Sequence, residues 1–155
     1  MSFAEPLPLI IPPMLLRSGE PPAGDEWTYE IKWDGIRAQV RYDGRTACLR
    51  SRPGRLCDAL PEVEGIADAL GHHRATLDGE IVVLRDDGRP DFALLRQRLG
   101  RRASNPHPVT FAIFDVLHLD GCSTRDLPYR ERRADPRRAS FGGPLLANPG
   151  LATSR

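Results

Sequence analysis

The stretch from Glu30 to Arg37 reads EIKWDGIR, and it contains Lys32, the only lysine among the 22 lysine and arginine residues of the chain. Arginine replaces lysine wherever a surface needs only positive charge, but a guanidinium stays protonated and cannot act as a nucleophile. We therefore interpret position 32 as one at which the function of the protein requires an amine. A GC-rich coding bias could also have removed lysine in general, so composition alone leaves both explanations open.

The residues around Lys32 predict a strand followed by an antiparallel hairpin. Trp27 to Trp33 alternates apolar and polar residues, which predicts a half-buried strand with its large apolar residues on one side and Lys32 on the other. Ile36 to Tyr42 and Arg45 to Ser51 are two further predicted strands, joined by Asp43-Gly44 in a type I′ turn. Lys32 is thus expected at the entrance to this hairpin.

The remainder of the chain alternates strands with short helices, which predicts the α+β fold class. A helix is expected between the hairpin and the next strand, with Pro61 in its first turn and Gly71 just after its end. The other predicted elements are a strand over 75–84, a helix over 92–99 capped by Asp91, and a strand over 109–119.

Composition excludes several classes of function. The net charge of +1 is too small to indicate a nucleic-acid partner through bulk electrostatics. The three cysteines are odd in number and irregularly spaced, which argues against a zinc ribbon or a secreted disulfide framework and indicates a reducing cytoplasm. The four histidines have no companion ligands at metal spacing and are expected on the surface or in loops.

Two other kinds of segment are excluded by pattern. The apolar stretch from Phe3 to Leu16 carries four prolines and no basic region, so it is neither a signal peptide nor a membrane span. No glycine-rich turn ends in Gly-Lys-Ser/Thr, so a P-loop enzyme is excluded.

Four segments, in order, resemble the motifs of the ATP-dependent DNA ligases, which are covalent nucleotidyltransferases. EIKWDGIR is similar to motif I, and the chain is identified as a member of this family. The other similar segments are Ser51–Gly54 (motif Ia), Leu77–Ile81 (motif III) and Phe111–Leu117 (motif IIIa), with Pro13–Leu15 and Leu127–Arg133 resembling bacterial end-joining ligases. The resemblance implies an antiparallel-sheet-rich, ATP-grasp-like adenylation domain.

The resemblance also implies roles for seven residues. Lys32 would attack the α-phosphate of ATP and form a lysyl-adenylate, with Arg37 and Arg52 as cationic neighbours. The implied nucleotide contacts are Glu30 and Ile31 toward adenine, Arg37 and Arg52 toward ribose and phosphates, Glu80 toward ribose or Mg²⁺, and Phe114 stacked on the adenine ring. Taken singly, Arg52 could be a solvated turn residue, Glu80 a paired strand acid and Phe114 ordinary core.

The chain departs from the family after Arg133. No segment resembles motif IV, and motif V, which contributes lysines, cannot be present because Lys32 is the only lysine. We therefore expect an arm and loop over 1–24, a partial adenylation domain over 25–133 that is C-terminally incomplete, and an irregular tail over 134–155 with the composition of a disordered segment. An oligonucleotide-binding domain is not expected, and the loss of these lysines leaves slow or absent self-adenylation open as an alternative to full activity.

Two classes of function remain. The first is an ATP-dependent DNA ligase acting on nicked or broken double-stranded DNA in repair or recombination, with missing elements supplied by a partner chain and no membrane partner. The second is a catalytically impaired relic or a nucleotide- or DNA-binding module. RNA ligation or capping is a lesser alternative, disfavoured because Glu30, Arg37 and motif IIIa look more like DNA ligase. The arginines of 130–138 could touch DNA, but an exposed charged helix is the default expectation.

Overall fold

The computed structural model describes residues 6–20, 22–24, 27–51, 60, 62, 64–100, 107–134 and 146–147. The strands in these ranges are β1 (Ile36–Tyr42), β2 (Ala47–Ser51), β3 (Ala75–Val83), β4 (Val109–Leu119), β5 (Cys122–Ser123) and β6 (Leu146–Ala147). The helices are α1 (Glu64–Leu70), α2 (Phe92–Gly100) and α3 (Tyr129–Ala134). None of these helices is long and apolar enough to cross a membrane.

The strands form one sheet in the order β2-β1-β3-β4-β5, in which these neighbours are antiparallel, and β6 pairs with β4 in parallel. The register between β1 and β3 sets Arg37 opposite Glu80 and Gln39 opposite Asp78. A sheet-rich fold with a few short helices confirms the predicted α+β class. Within the tail predicted over 134–155, the described residues Leu146–Ala147 form β6.

Alternation along the strands gives the sheet an apolar face and a polar face. Ala38, Val40 and Tyr42 of β1 are buried in a core that also includes side chains of α1 and α2. The residues between them point to the other side. We call that side, which carries Arg37, Gln39, Asp78 and Glu80, the polar face.

The N-terminal arm predicted over 1–24 has no helix or strand where it is described, and it lies against the polar face. Leu7 and Ile11 are buried. The side chain of Gln39 accepts a hydrogen bond from the backbone N–H of Ile11 at 3.3 Å and donates one to its carbonyl at 2.7 Å. The arm therefore covers the part of the polar face around Gln39.

The predicted ends of two helices are confirmed. The Oδ1 atom of Asp91 accepts a hydrogen bond from the backbone N–H of Leu94 at 3.0 Å, which caps α2. Gly71 follows α1 with a φ of 58°, and its N–H donates to the carbonyl of Ala67 at 3.0 Å. Glycine adopts this left-handed conformation without a steric penalty. Pro61, predicted in the first turn, lies outside the described residues.

The strand predicted over Trp27 to Trp33 is wrong. The segment has no regular strand apart from a bridge at Tyr29, and Trp27, Tyr29 and Ile31 are 48%, 39% and 64% exposed. A strand needs a neighbour that takes up its backbone hydrogen bonds, and alternation of side chains does not supply one. This segment, which we call the lysine loop, instead runs as irregular chain into β1.

The hairpin loop between β1 and β2 also differs from the predicted type I′ turn. Tyr42 pairs with Ala47, so four residues connect the strands. Within this fully described loop only Gly44 has a positive φ, of 93°, whereas a type I′ turn needs two such residues. Asp43 closes the loop, because its Oδ1 accepts hydrogen bonds at 3.0 and 2.9 Å from the next two backbone N–H groups after Gly44.

Two histidines predicted at the surface or in loops are buried, since His73 is 8% and His118 is 2% exposed. The Nδ1 atom of His73 lies 2.9 Å from Oδ2 of Asp120, whose Oδ1 accepts the backbone N–H of Arg74 at 2.9 Å. These contacts connect the chain just before β3 to the turn after β4. The role of these histidines is therefore in packing and connection of the sheet.

Candidate active site

Lys32 lies in the lysine loop with its side chain exposed, a few residues before β1. Gly35 brings this loop against β3. A Cβ atom on Gly35 would collide with the carbonyl oxygen of Ile81 and come within 2.9 Å of Cγ of Glu80. The backbone of Gly35 also hydrogen-bonds the Glu80 carboxylate. The Asp-Gly pair after the lysine thus permits a close approach that a larger residue would block.

Glu80 lies on the polar face near the lysine loop. Burial raises the pKa of Glu80 to about 6, while the charges of Arg37 and Lys32 and the hydrogen bond from Gly35 act in the opposite direction. The charge of Lys32 is therefore close enough to influence Glu80, although one residue is in a loop and the other on a strand. A carboxyl with this pKa changes protonation near neutral pH.

Arg37 is fixed by the neighbouring strand. Its Nε and Nη2 atoms donate to the two carboxylate oxygens of Asp78 at 3.2 and 2.9 Å, and its Nη1 donates to the carbonyl of Met14. The guanidinium carbon lies 5.3 Å from the centroid of the Phe114 ring. The Asp78 side chain is 4% exposed. The sequence predicts Arg37 as a cationic neighbour of Lys32, but its strongest partner in the structure is Asp78.

Glu30 is held by helix α3. The hydroxyl of Tyr129 lies 2.5 Å from Oε2 of Glu30 and 3.0 Å from the carbonyl oxygen of Phe114. The Nε atom of Arg133 lies 2.9 Å from Oε1 of Glu30. Burial and the adjacent Glu30 raise the pKa of Tyr129, so its phenol keeps its proton and donates it. Helix α3 therefore connects the lysine loop to β4.

Helix α3 is not the exposed charged helix that the sequence predicts over 130–138. The side chains of Arg132 and Arg133 are 14% and 3% exposed. Arg132 makes two contacts with the carboxylate of Asp115, at 2.8 and 2.9 Å, and its guanidinium lies 5.3 Å from the ring of Tyr129. These charges face β4 and the lysine loop. Residues 135–138 lie outside the described residues.

Five of the seven predicted site residues come together in the structure. Glu30 and Lys32 come from the lysine loop, and Arg37, Glu80 and Phe114 come from β1, β3 and β4. The side chain of Ile31, in the same loop, is 64% exposed. The prediction for Arg52 concerns a residue outside the described part of the chain, as does most of Ser51–Gly54.

Sequence reasoning missed three residues of this cluster. Asp78 lies two positions before Glu80 on a strand, so period two could have placed both on one face. Tyr129 and Arg133 are four positions apart, which places them on one side of a helix. That spacing predicts that Tyr129 and Arg133 share one side of the helix. It does not predict that this side contacts Glu30, because Glu30 lies about a hundred residues earlier in the chain.

The fit of this cluster to a metal ion depends on Glu80. Among the residues that the structure describes, no three histidine, cysteine, aspartate or glutamate side chains come together as a metal site. Mg²⁺ often takes only one or two protein carboxylates and completes its shell with substrate phosphates and water. The half-buried Glu80 carboxylate fits that kind of site, whereas Asp78 is already occupied by Arg37.

Comparison with known protein families shows to which family the chain belongs. The family described as "ATP dependent DNA ligase domain" matches residues 15–135, a range that includes every residue of the cluster above. The chain belongs to this family. The prediction drawn from the four motifs is therefore confirmed at the level of the family.

Curated relatives of this ligase-domain chain are much longer proteins. It is 37% identical over 131 residues to the "Multifunctional non-homologous end joining protein LigD" of Pseudomonas aeruginosa, covering 83% of this chain and 15% of that protein. It is 43% identical over 113 residues to a "Probable DNA ligase" of Streptomyces coelicolor, covering 68% and 22%. The chain thus spans less than a quarter of the length of either relative.

Solved structures support the fold. The chain is similar to "mycobacterial DNA ligase D complexed with ATP and MES", with a TM-score of 0.69 and 35% identity, covering 81% of this chain and 40% of that one. It is similar to the ligase domain of M. tuberculosis LigD, with a TM-score of 0.70 and 34% identity, covering 83% and 41%. The predicted adenylation-domain fold of the ligases is confirmed.

Proposed function

We propose that the chain is part of an ATP-dependent DNA ligase, in which Lys32 receives AMP from ATP before the AMP passes to a DNA 5′-phosphate. Family membership supports the enzyme class. The relatives are named for DNA ligation and end joining, which favours DNA repair over RNA ligation or capping. The observation that carries the proposal is that the charges of Lys32 and Arg37 both act on Glu80, while Arg37 also lies against the Phe114 ring, so that separate stretches of sequence meet around Arg37 and Glu80.

The proposed first step is an attack by the amine of Lys32 on the α-phosphorus of ATP. A P–N bond forms, the bond to the bridging oxygen breaks, and pyrophosphate leaves with that electron pair. The proton of the amine passes to water, which reaches the exposed Lys32 side chain. An oxygen of a DNA 5′-phosphate then attacks the same phosphorus and displaces the lysine. The 3′-hydroxyl at the nick next attacks the DNA phosphorus and releases AMP.

The neighbouring residues are proposed to bind the nucleotide. The ring of Phe114 stacks on the face of the adenine, and the carboxylate of Glu30 accepts a hydrogen bond from the edge of the adenine. A guanidinium has five N–H donors. Three donors of Arg37 contact Asp78 and Met14, which leaves two for ribose or phosphate oxygens. Arg52 is proposed to assist from the segment outside the described residues.

Mg²⁺ is a further part of the proposal. When bound, the ion would offset the negative charge of the triphosphate, and Glu80 is the residue that would hold it. Nicked or broken duplex DNA is the proposed substrate, acted on in the cytoplasm. A partner chain is proposed to supply elements resembling motifs IV and V to the adenylation part over 25–133, because the sequence has no second lysine.

A labelling experiment tests the proposal. The purified 155-residue chain is incubated with Mg²⁺ and α-labelled ATP, denatured, and analysed for bound label. We expect an acid-labile label on the wild type and a loss of at least about 100-fold in Lys32→Arg, because that change keeps the charge but removes the nucleophile. An unlabelled wild type would contradict self-adenylation by this chain alone.

A second lysine provides the matched control. Arg89 is 83% exposed and lies on the turn after β3. In the double variant Lys32→Arg/Arg89→Lys the total number of lysines is restored, but the amine lies on a turn outside the predicted site. We expect no label on this variant. Label on it would show that any exposed lysine reacts and would refute the assigned site.

A further inference from the structure

We infer that Tyr129 and Arg133 are positioning residues that make the site selective for 6-aminopurine nucleotides, by holding the Glu30 carboxylate in a fixed place beside Phe114. This inference rests on the proposed function, because it assumes that Glu30 and Phe114 meet the base. It assigns a role in nucleotide selection to a helix that lies outside motifs I, Ia, III and IIIa.

Glu30 stands in the lysine loop, outside regular secondary structure. This loop runs as irregular chain before β1, and Trp27 and Ile31 on either side of Glu30 are largely exposed. A carboxylate in such a loop has several accessible rotamers. Both carboxylate oxygens of Glu30 instead contact α3, one at Tyr129 and the other at Arg133.

Arg133 is itself firmly placed. Its side chain is 3% exposed, and its Nη1 donates to the carbonyl of Ile113 on β4 at 3.3 Å. The contact with Glu30 is therefore made by a guanidinium that cannot swing into solvent. A buried cation beside a carboxylate restrains it more than an exposed one, because solvent screens the interaction less.

Tyr129 relates the two groups proposed to meet the base. Its hydroxyl lies within hydrogen-bond distance of both Glu30 and the carbonyl of Phe114, so one oxygen sets the spacing between them. Phe114 is fixed in turn by its place on β4. The Glu30 carboxylate, at the edge of the base, is thereby held at a fixed distance from Phe114, whose ring is proposed to stack on the face of the base.

The chemistry of purines makes that spacing selective. An ionised carboxylate only accepts hydrogen bonds, so it can bind the exocyclic amine of adenine. Guanine presents a carbonyl oxygen at the same position, which repels a carboxylate that cannot turn away. A carboxylate freed from α3 could rotate, and the penalty against guanine would then fall.

The test measures ATP and GTP binding separately by calorimetric titration of the full chain. We expect wild type to prefer ATP, and Tyr129→Phe to reduce the ATP-to-GTP affinity ratio about tenfold, the usual range for one hydrogen bond to a charged group. Arg133→Gln should lower the ratio similarly, and Arg133→Lys, which keeps the charge, should retain part of it. Glu131→Gln, on the exposed side of α3, should leave the ratio unchanged.

The outcomes separate this inference from the proposed function. ATP binding with an unchanged ratio in Tyr129→Phe would overturn the inference and leave the proposed function intact, as would a wild type that binds both nucleotides equally. A wild type that binds no ATP would overturn both. If Arg133→Gln fails to fold, as judged by circular dichroism, Tyr129→Phe decides alone, because it removes a single oxygen.

Discussion

Two adjacent regions of the site are held by different kinds of structure. Arg37, Asp78 and Glu80 stand on paired strands, so the register of the sheet fixes their positions. Glu30 and Lys32 stand in an irregular loop, and the contacts that hold Glu30 come from a helix 99 residues later. The strand-built region should therefore fail only with the sheet, whereas the lysine loop can be released while the sheet stays folded.

More than one contact connects α3 to the lysine loop. Arg130 donates to the hydroxyl oxygen of Thr28 at 3.2 Å and to the carbonyl of Trp27 at 3.4 Å. Arg132 anchors the helix to Asp115 on β4. The helix is thus fixed to the sheet on one side and supports the loop on the other, which makes it the means by which the two regions are coupled.

The largest effect is expected from Asp78→Asn, in the strand-built region. The change removes a carboxylate that is 4% exposed and leaves the Arg37 guanidinium without its charged partner. Breaking a buried pair in this way should lower the free energy of unfolding by about 2–3 kcal/mol. Urea titration measures this change in the free energy of unfolding. Asp87→Asn, in an exposed 3.7 Å pair, is the control and should leave the midpoint almost unchanged.

A smaller and more local effect is expected from Arg132→Gln. The ion pair with Asp115 is 14% exposed on both sides, and its loss should cost about 1–2 kcal/mol. Hydrogen exchange should rise in peptides over 27–34 and 129–134 but not in peptides over β1 and β3. An equal rise in hydrogen exchange in the peptides over β1 and β3 would contradict the claim that the lysine loop can be released while the sheet stays folded. Arg85→Gln, at an ion-paired arginine that is 61% exposed, is the control and should change exchange in neither peptide.

The smallest effect is a pH dependence caused by Glu80. Its pKa of about 6 in the folded chain lies above the ordinary 4.5, mainly because of burial. The unfolded chain therefore releases this proton first, and the free energy of unfolding should fall as the pH rises from about 4.5 to about 6. Allowing for screening at a half-exposed group, the loss is about 1 kcal/mol. Glu80→Gln should remove it, and equal pH profiles for the two proteins would contradict the assigned pKa.

The strand-built region could be predicted from sequence because its signals are local. Period two placed β1, β3 and β4 within a residue of their observed ends, and caps at Asp91 and Gly71 marked the helices. The faces on which Arg37 and Asp78 lie were also within reach, since each residue follows the alternation of a predicted strand.

The lysine loop could not be predicted in the same way. Its alternating tryptophan, tyrosine and isoleucine residues have the pattern of a strand, but whether a segment pairs depends on which chain lies beside it. The support of Glu30 by Tyr129 and Arg133 depends on a return of the chain after β4, and no local pattern encodes that return. The motif identified the lysine, and tertiary contacts decided how its neighbours are held.

The most direct test of the account is to locate AMP on the protein. After incubation of the full chain with ATP and Mg²⁺, peptides are separated and analysed by mass spectrometry. We expect an AMP adduct, lost on mild acid treatment, on the peptide that contains Lys32. An adduct confined to another peptide, or no adduct on any peptide, would contradict the claim that the lysine beside Glu80 is the nucleophile.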